Sequence, residues 1–208
     1  MEKQLILIGG GDYRKDENKE IDSYILSQIN PNSKFLIIPF AKKENEKRKS
    51  IFDSISKVFN KKEKYSFSIL DENIQTKEEM IDKINSSDVL FLTGGDPILL
   101  KAKIKELNIQ ESIKNFKGLT IGYSAGAMIF SEKIIIPKEM DKNYPNSKIS
   151  KGLGSIKFSI IPHYKEEFYE ILKKLSKETE IYALENKSAL ILKNQEIKKI
   201  GKVLNLSH

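Results

Sequence analysis

A serine surrounded by small residues stands where an apolar stretch ends. Residues 119–127 are LTIGYSAGA, so Ser124 lies in a Gly-x-Ser-x-Gly pattern. This pattern is typical of a nucleophile elbow, a sharp strand-to-helix turn that lifts a serine hydroxyl above the edge of a sheet. Gly122, Ala125 and Gly126 are small enough to let the strand and the helix approach. The pattern therefore predicts a serine nucleophile, and a merely structural tight turn is the alternative.

Histidine is the usual partner of such a serine, because the hydroxyl is a weak nucleophile until a base takes its proton. The chain contains two histidines, His163 and His208. His208 is the last residue, where order is commonly poor. His163 follows a predicted strand over residues 156–161, and ligands bind at the carboxyl ends of strands in an open parallel sheet. His163 is therefore the predicted base.

A serine triad is completed by a carboxylate, which accepts a hydrogen bond from the second ring nitrogen and fixes the tautomer. Glu139 and Asp141 lie between the serine and the histidine, on a long polar segment, and give the chain order serine, acid, histidine. The residues alone do not choose among the acids that qualify by position, which are Glu132, Glu139, Asp141, Glu166 and Glu185.

An oxyanion hole needs two N–H groups directed at the reacting carbonyl oxygen. The residue after the nucleophile supplies one, here Ala125. Residues 93–97, TGGDP, follow a neighbouring predicted strand, and Gly95 is the second candidate because glycine lets the backbone approach a substrate. Asp96 is a candidate for substrate binding. Asp96 and Pro97 also have the residue types of a helix N-cap and first helical position, and both roles can hold at once.

Several other chemistries are excluded or disfavoured by residue type. The chain has no cysteine, which excludes disulfides, thiolate metal sites, iron–sulfur clusters and a cysteine nucleophile. One usable histidine and no clustered carboxylates argue against a metal ion. Residues 9–12, GGGD, lack the spacing of a dinucleotide or phosphate-binding loop. We therefore expect no cofactor and no metal.

The elements that position these residues alternate between strands and helices. Strands are predicted at residues 5–8, 35–39, 65–70, Val89–Leu92 and Leu119–Tyr123, with amphipathic helices between them. Such alternation implies βαβ units, and strands that are apolar on both faces imply helices on both sides of a mostly parallel sheet. After a polar loop over residues 138–155 and a helix over 166–175, short β segments are predicted over 181–206. We expect residues 1–208 to form a single α/β domain with three layers.

Charge and hydropathy limit the partners. The 208 residues carry a formal charge of +7, and lysine dominates, since Arg14 and Arg48 are the only arginines. Scattered lysine is more typical of a solvated surface than of a nucleic-acid interface. No apolar run approaches the roughly 20 residues that span a bilayer, and the apolar run before Gly9 is too short for a signal peptide. We expect a cytoplasmic monomer or homodimer without nucleic-acid or membrane partners.

Together, the motifs resemble the peptidase E and cyanophycinase family of serine peptidases. The resemblance is carried by GYSAGA at 122–127, TGGD at 93–96 and the Pro-His pair that ends at His163, and it extends from Gly9 to about Leu192. It implies a fold similar to the class I glutamine amidotransferases, a flavodoxin-like parallel sheet. The resemblance also implies that Ser124 is the nucleophile and His163 the base. It implies that Gly95 and Ala125 are the oxyanion donors, and that Asp141 is the acid, with Glu139 as the next candidate.

One departure concerns the substrate. Family members that act on N-terminal aspartyl dipeptides hold the substrate carboxylate with an arginine in the C-terminal third, whereas this chain has no arginine after Arg48. Lys165 is the cation that could take that place, as a point charge where arginine offers a fork. A lysine-rich surface would still attract an acidic residue.

These observations predict a serine peptidase that cleaves short peptides through an acyl-enzyme, with dipeptides that carry an acidic N-terminal residue among its expected substrates. Two alternatives stay open. One is a binding protein without catalytic activity on the same fold. The other is an esterase of the α/β-hydrolase type, a class that usually places its histidine after the last strand.

Overall fold

A seven-stranded, mostly parallel sheet forms the centre of the computed structural model, which describes residues 3–15, 17–43, 45–60, 64–194 and 196–207. The strands of this sheet are β1 (Gln4–Ile8), β2 (Lys34–Ile38), β3 (Ser66–Ile69), β4 (Val89–Leu92), β5 (Leu119–Tyr123), β10 (Ala189–Lys193) and β11 (Glu196–Ile200). Their order is β11-β10-β1-β5-β4-β2-β3, and β1 to β5 run parallel. The strands β10 and β11 continue the sheet in antiparallel fashion beyond β1.

Helices cover both faces of this sheet, as the strand pattern predicted. They are α1 (Lys19–Ser27), α2 (Asn45–Phe59), α3 (Lys77–Asn85), α4 (Pro97–Glu106), α5 (Gln110–Lys114), α6 (Ala125–Met128) and α7 (Tyr169–Leu175). Alternate residues of β1 enter different cores. Ile6 and Ile8 pack with α1 and α2, whereas Leu5 and Leu7 pack with α3 to α6. The predicted α/β architecture with three layers is confirmed.

The strand predicted over 156–161 and two of the short β segments predicted over 181–206 form a second, smaller sheet. It contains β8 (Ser159–Ile161), β9 (Ile181–Leu184) and β12 (Val203–Leu206) in the order β12-β9-β8. One face of this sheet joins the core beneath α3 to α6, and the other packs against α7. After β8 and β9, the chain therefore returns to the central sheet with β10 and β11, and it ends with β12 in the small sheet.

The predicted loop over 138–155 contains a strand. The antiparallel pair β6 (Lys133–Ile136) and β7 (Lys148–Lys151) forms a third sheet. The sequence of β7 is KISK, and its one large apolar residue, Ile149, is 54% exposed. Because β7 buries no apolar face, hydrophobic alternation could not reveal it.

In the described part of the chain, no helix combines the length and the apolar character that crossing a membrane requires.

Candidate active site

The turn after β5 has the strained geometry of a nucleophile elbow. Ser124 has φ 51° and ψ −109°, in a left-handed region that residues with a side chain seldom adopt. Glycines make the turn possible, because a Cβ at Gly122 would overlap the Gly126 carbonyl and a Cβ at Gly126 would overlap the Leu92 carbonyl. The Ser124 N–H also donates to the Ile8 carbonyl at 2.9 Å. Packing thus holds the serine at the carboxyl edge of the central sheet.

The structure brings Ser124 and His163 together. Serine Oγ and histidine Nε2 are 2.7 Å apart, with the serine 8% exposed and the histidine on the surface. His163 follows β8, so the small sheet delivers the imidazole to the edge of the large one. Its own backbone has φ 56°, and its N–H donates to the Gly9 carbonyl at 2.9 Å. The second histidine, His208, lies outside the described residues.

An amide occupies the place where an acid was predicted. Asn186 Oδ1 lies 2.7 Å from His163 Nδ1. An amide oxygen accepts a hydrogen bond, so this contact fits an imidazole protonated on Nδ1, whose Nε2 then offers its lone pair to the serine hydroxyl. Asn186 is exposed, in the turn between β9 and β10, and the next residue, Lys187, has φ 64°. The amide can fix the tautomer but adds no negative charge.

Asp141, the predicted acid, does not lie behind the ring. Its Oδ1 accepts the Asn143 N–H at 2.9 Å and the Asn143 side-chain amide at 2.8 Å, which closes a local turn. Asp141 instead lines the same pocket as Ser124. Spacing along the chain could not reveal this, because it gives the order of acid and base but not which loop folds back onto the imidazole.

The other candidate acids are also engaged elsewhere or exposed. Glu185, next to Asn186 in sequence, pairs with Lys202 at 2.8 Å. Glu166 accepts from the Tyr164 hydroxyl at 3.2 Å, whereas Glu132 and Glu139 are exposed. Within the described chain, the ring therefore has an amide partner and no carboxylate partner.

The two predicted oxyanion donors border the serine. Gly95 lines the pocket with Ser124, and Ala125 follows the serine at the start of α6. Neither N–H has a hydrogen-bond partner among the described residues. Gly95 has φ 145°, and a Cβ there would overlap the Ala41 carbonyl, so this position requires glycine.

The two residues predicted to bind substrate have other contacts. Asp96 caps α4, because its Oδ1 accepts from the N–H groups of Ile98 and Leu99 at 2.8 and 3.0 Å. The same oxygen accepts from the Tyr144 hydroxyl at 2.7 Å. The side chain of Lys165 is 70% exposed, pairs with Glu167 at 3.5 Å and does not line the pocket.

The pocket in front of Ser124 is small and mostly apolar. Its volume is about 170 Å³, and its lining residues are Gly95, Pro97, Ser124, Met128, Ile135, Ile136, Pro137, Met140, Asp141, Ile161, Pro162 and His163. Asp141 is the one carboxylate among them. The pKa of nearby Tyr144 is raised, mainly by burial and further by its hydrogen bond to Asp96 and the charges of Asp96 and Asp141. Its phenol therefore stays protonated.

The glycine turn after β1, at residues 9–11, binds the segments around the site through its carbonyl groups. The Gly9 carbonyl accepts from His163 N–H, and the Gly10 carbonyl accepts from Lys187 N–H at 3.0 Å. The Gly11 carbonyl accepts from the hydroxyl of Tyr123, the residue before Ser124. A Cβ at Gly10 would overlap both the His163 ring and the Asn186 amide. The GGGD motif of residues 9–12, which lacks the spacing of a phosphate-binding loop, thus connects the segments that carry Ser124, His163 and Asn186.

Among the described residues, no cluster of three metal-ligating side chains occurs.

Hydrolases that attack through an elbow serine share this combination of sheet, turn and imidazole, and they are the class of protein to which the geometry points. Within that class the chain belongs to peptidase family S51, whose family model matches residues 5–200. It is therefore a serine peptidase of the peptidase E family, as the motifs predicted.

Similar proteins agree with this assignment. The chain is 32% identical over 139 residues to the uncharacterized peptidase Lmo0363 of Listeria monocytogenes, an alignment that covers 62% of this chain and 67% of that protein. Two crystal structures share the fold. A protein provisionally designated peptidase E from Listeria monocytogenes EGD-e matches with a TM-score of 0.70 and 24% identity over 96% of this chain and 98% of that one. A peptidase from an acI-B1 actinobacterium matches with a TM-score of 0.73 and 20% identity over 100% and 91%. The likeness is consistent with the flavodoxin-like fold implied by the motifs.

Proposed function

We propose that this serine peptidase hydrolyses short peptides with Ser124 as nucleophile and His163 as general base and acid. The observation that carries the proposal is the 2.7 Å contact between serine Oγ and histidine Nε2, made by a buried serine in a strained turn. Strain of this kind persists only where the surrounding structure enforces it, and it is concentrated at functional sites. The small pocket volume, about 170 Å³, favours a substrate that inserts a single residue.

The reaction then follows from the positions of the groups. Ser124 Oγ bonds to the carbonyl carbon of the substrate amide while its proton passes to His163 Nε2. The carbonyl oxygen becomes an oxyanion, which accepts hydrogen bonds from the N–H groups of Gly95 and Ala125. The imidazolium gives its proton to the leaving nitrogen, the C–N bond breaks, and an acyl-enzyme remains. A water molecule, deprotonated by Nε2, releases the acyl group and restores the serine.

Asn186 takes the position of the third triad member in this proposal, as a residue that positions the base. Its amide oxygen keeps the Nδ1 proton in place, so that Nε2 is the free base. It differs from an aspartate in stabilising the imidazolium through a dipole instead of a full charge. The proposed triad is therefore serine, histidine and asparagine, and the roles of Asp141 and the other acids lie outside proton transfer.

Covalent labelling tests the nucleophile directly. The protein is treated with a fluorophosphonate probe, and the labelled peptide is identified by mass spectrometry. We expect one adduct, on Ser124, and we expect Ser124→Ala to lower kcat by a factor of roughly 10⁴ or more. Ser27→Ala, which removes an exposed serine at the end of α1, serves as the control and should label and turn over like the parent. Folded protein that neither labels nor hydrolyses any peptide would favour a binding protein.

A further inference from the structure

The wall of the pocket beside Ser124 is built mostly from apolar side chains. Eight of its twelve lining residues are isoleucine, methionine or proline. Ile135, Ile136 and Ile161 are at most 4% exposed, so the core behind them holds this wall in place. Met140 is half-buried at the edge and can adapt to the shape of a ligand. Such a surface gains free energy by covering an uncharged hydrocarbon group.

The charge at the pocket is negative. Among its described lining residues, Asp141 is the one that carries a formal charge at neutral pH. The carboxylate of Asp96 lies close by, bonded to the Tyr144 hydroxyl. The ammonium of Lys148 lies 5.5 Å from the centre of the Tyr144 ring, but Lys148 does not line the pocket. A ligand in the pocket therefore meets a carboxylate and no lysine among the lining residues.

We infer, on the basis of the proposed function, that the enzyme releases an apolar residue from a free peptide N-terminus. In the first residue of a peptide, the side chain, the α-ammonium group and the carbonyl all branch from one Cα. The apolar wall receives the side chain, Asp141 pairs with the ammonium, and the carbonyl carbon lies at Ser124. The small cavity has room for one such residue, so the selected group is the one next to the bond that breaks.

An acidic first residue fits this pocket poorly. Its side-chain carboxylate would lose water against isoleucine and methionine, and it would meet the like charge of Asp141. The lysine-rich surface that led us to expect acidic substrates acts over a longer distance and changes the encounter rate more than the selection in the pocket. Substrate choice is thus governed by the lining residues and not by the net charge.

Dipeptide hydrolysis measures this selectivity. Purified enzyme is given Leu-Gly, Met-Gly, Lys-Gly, Asp-Gly and N-acetyl-Leu-Gly, and the release of glycine gives kcat/KM for each. We expect Leu-Gly and Met-Gly to exceed Asp-Gly by at least roughly tenfold, since one mismatched group in a pocket is worth that much. Acetylation removes the positive charge that Asp141 would bind, and it should cost a similar factor. Equal or faster cleavage of Asp-Gly would overturn the inference.

Paired variants separate the two features of the pocket. Asp141→Asn should raise the KM of Leu-Gly about tenfold and leave N-acetyl-Leu-Gly unchanged, because only the free ammonium loses its partner. Glu139→Gln removes the same charge from the same loop outside the pocket, and it should keep the parent preference for the free N-terminus. Met140→Lys places a cation at the pocket edge, and it should shift the ratio of Asp-Gly to Leu-Gly cleavage at least tenfold toward Asp-Gly.

The outcomes distinguish this inference from the proposed function. An enzyme that labels on Ser124 but cleaves Asp-Gly or N-acetyl-Leu-Gly as fast as Leu-Gly keeps its nucleophile and loses the proposed specificity. An enzyme that labels on Ser124 yet leaves all five dipeptides intact also contradicts the specificity. A folded protein without labelling or cleavage contradicts the proposed function, and the inference fails with it.

Discussion

The two sides of the His163 ring are built by different means. On the Nε2 side, Ser124 is buried, its backbone is strained, and the close packing of Gly122 and Gly126 holds the turn at the carboxyl edge of the central sheet. On the Nδ1 side, Asn186 is an exposed amide in a turn between the small sheet and β10. Ser124 is therefore held by backbone packing, whereas the orientation of the His163 ring depends on a hydrogen bond at the surface.

The energetic consequences differ in the same way. Strain at a position such as Ser124 costs of order 1–3 kcal/mol and must be offset by the contacts around it. A hydrogen bond such as the one from His163 to Asn186 contributes about 1 kcal/mol to stability. Changes at the elbow should therefore affect folding and activity together, while changes at the amide should affect activity with little effect on folding.

The largest expected effect is at the elbow. Gly126→Ala would force a methyl group against the Leu92 carbonyl, so we expect the free energy of unfolding to fall by about 1–3 kcal/mol and activity to fall with it. Urea denaturation and kcat/KM measure the two. Gly154→Ala is the control, because Gly154 has open space around it and φ 67°, so only its backbone conformation is penalised. A Gly126→Ala enzyme as stable and active as the parent would show that packing does not hold the elbow.

A smaller, purely catalytic effect is expected on the amide side. Asn186→Ala frees the imidazole to rotate and to change tautomer, so kcat should fall roughly 10²-fold, as misplacement of a catalytic group does. The free energy of unfolding should fall by no more than about 1 kcal/mol, which is the contribution of this hydrogen bond. Asn115→Ala, at an exposed asparagine after α5, should change neither quantity. Parent-like kcat in Asn186→Ala would remove this residue from the mechanism.

The smallest expected effect comes from a charge placed on the Nδ1 side of the His163 ring. Asn186→Asp keeps the shape of the side chain and adds a negative charge beside Nδ1. That charge favours the protonated imidazole, so more alkaline solution is needed to free the base, and the acidic limb of the kcat/KM profile should move to higher pH. Activity at pH 6 relative to pH 8 should therefore fall. A profile identical to that of the parent would mean that the residue at 186 does not contact the base in solution.

The elbow side could be predicted from the sequence because its signals are local. A Gly-x-Ser-x-Gly pattern after an apolar strand requires small residues at fixed spacing, and Gly122 and Gly126 meet that steric demand in the structure. The parallel sheet followed for the same reason, since the alternation of strands and helices is encoded in short windows. The pairing of His163 with Ser124 could be predicted because the sequence contains only two histidines, His163 and His208.

The amide side could not be predicted, because its signals are distant or absent. Asn186 is one asparagine among many in polar turns, and it reaches the ring only because β10 returns to the central sheet beside β1. It also lacks the carboxylate that usually completes a serine triad. Strand β7 escaped for a related reason, since Ile149 faces solvent and leaves no buried face to detect.

The carbonyls of residues 9–11 join segments that are distant in the sequence. The first two accept from the N–H groups of His163 and Lys187, and the third accepts from the Tyr123 hydroxyl. Ser124 and His163 therefore come together only when β1, β5 and the segments that follow β8 and β9 have packed. Under the proposed mechanism, we expect a fragment that ends before His163 to be inactive.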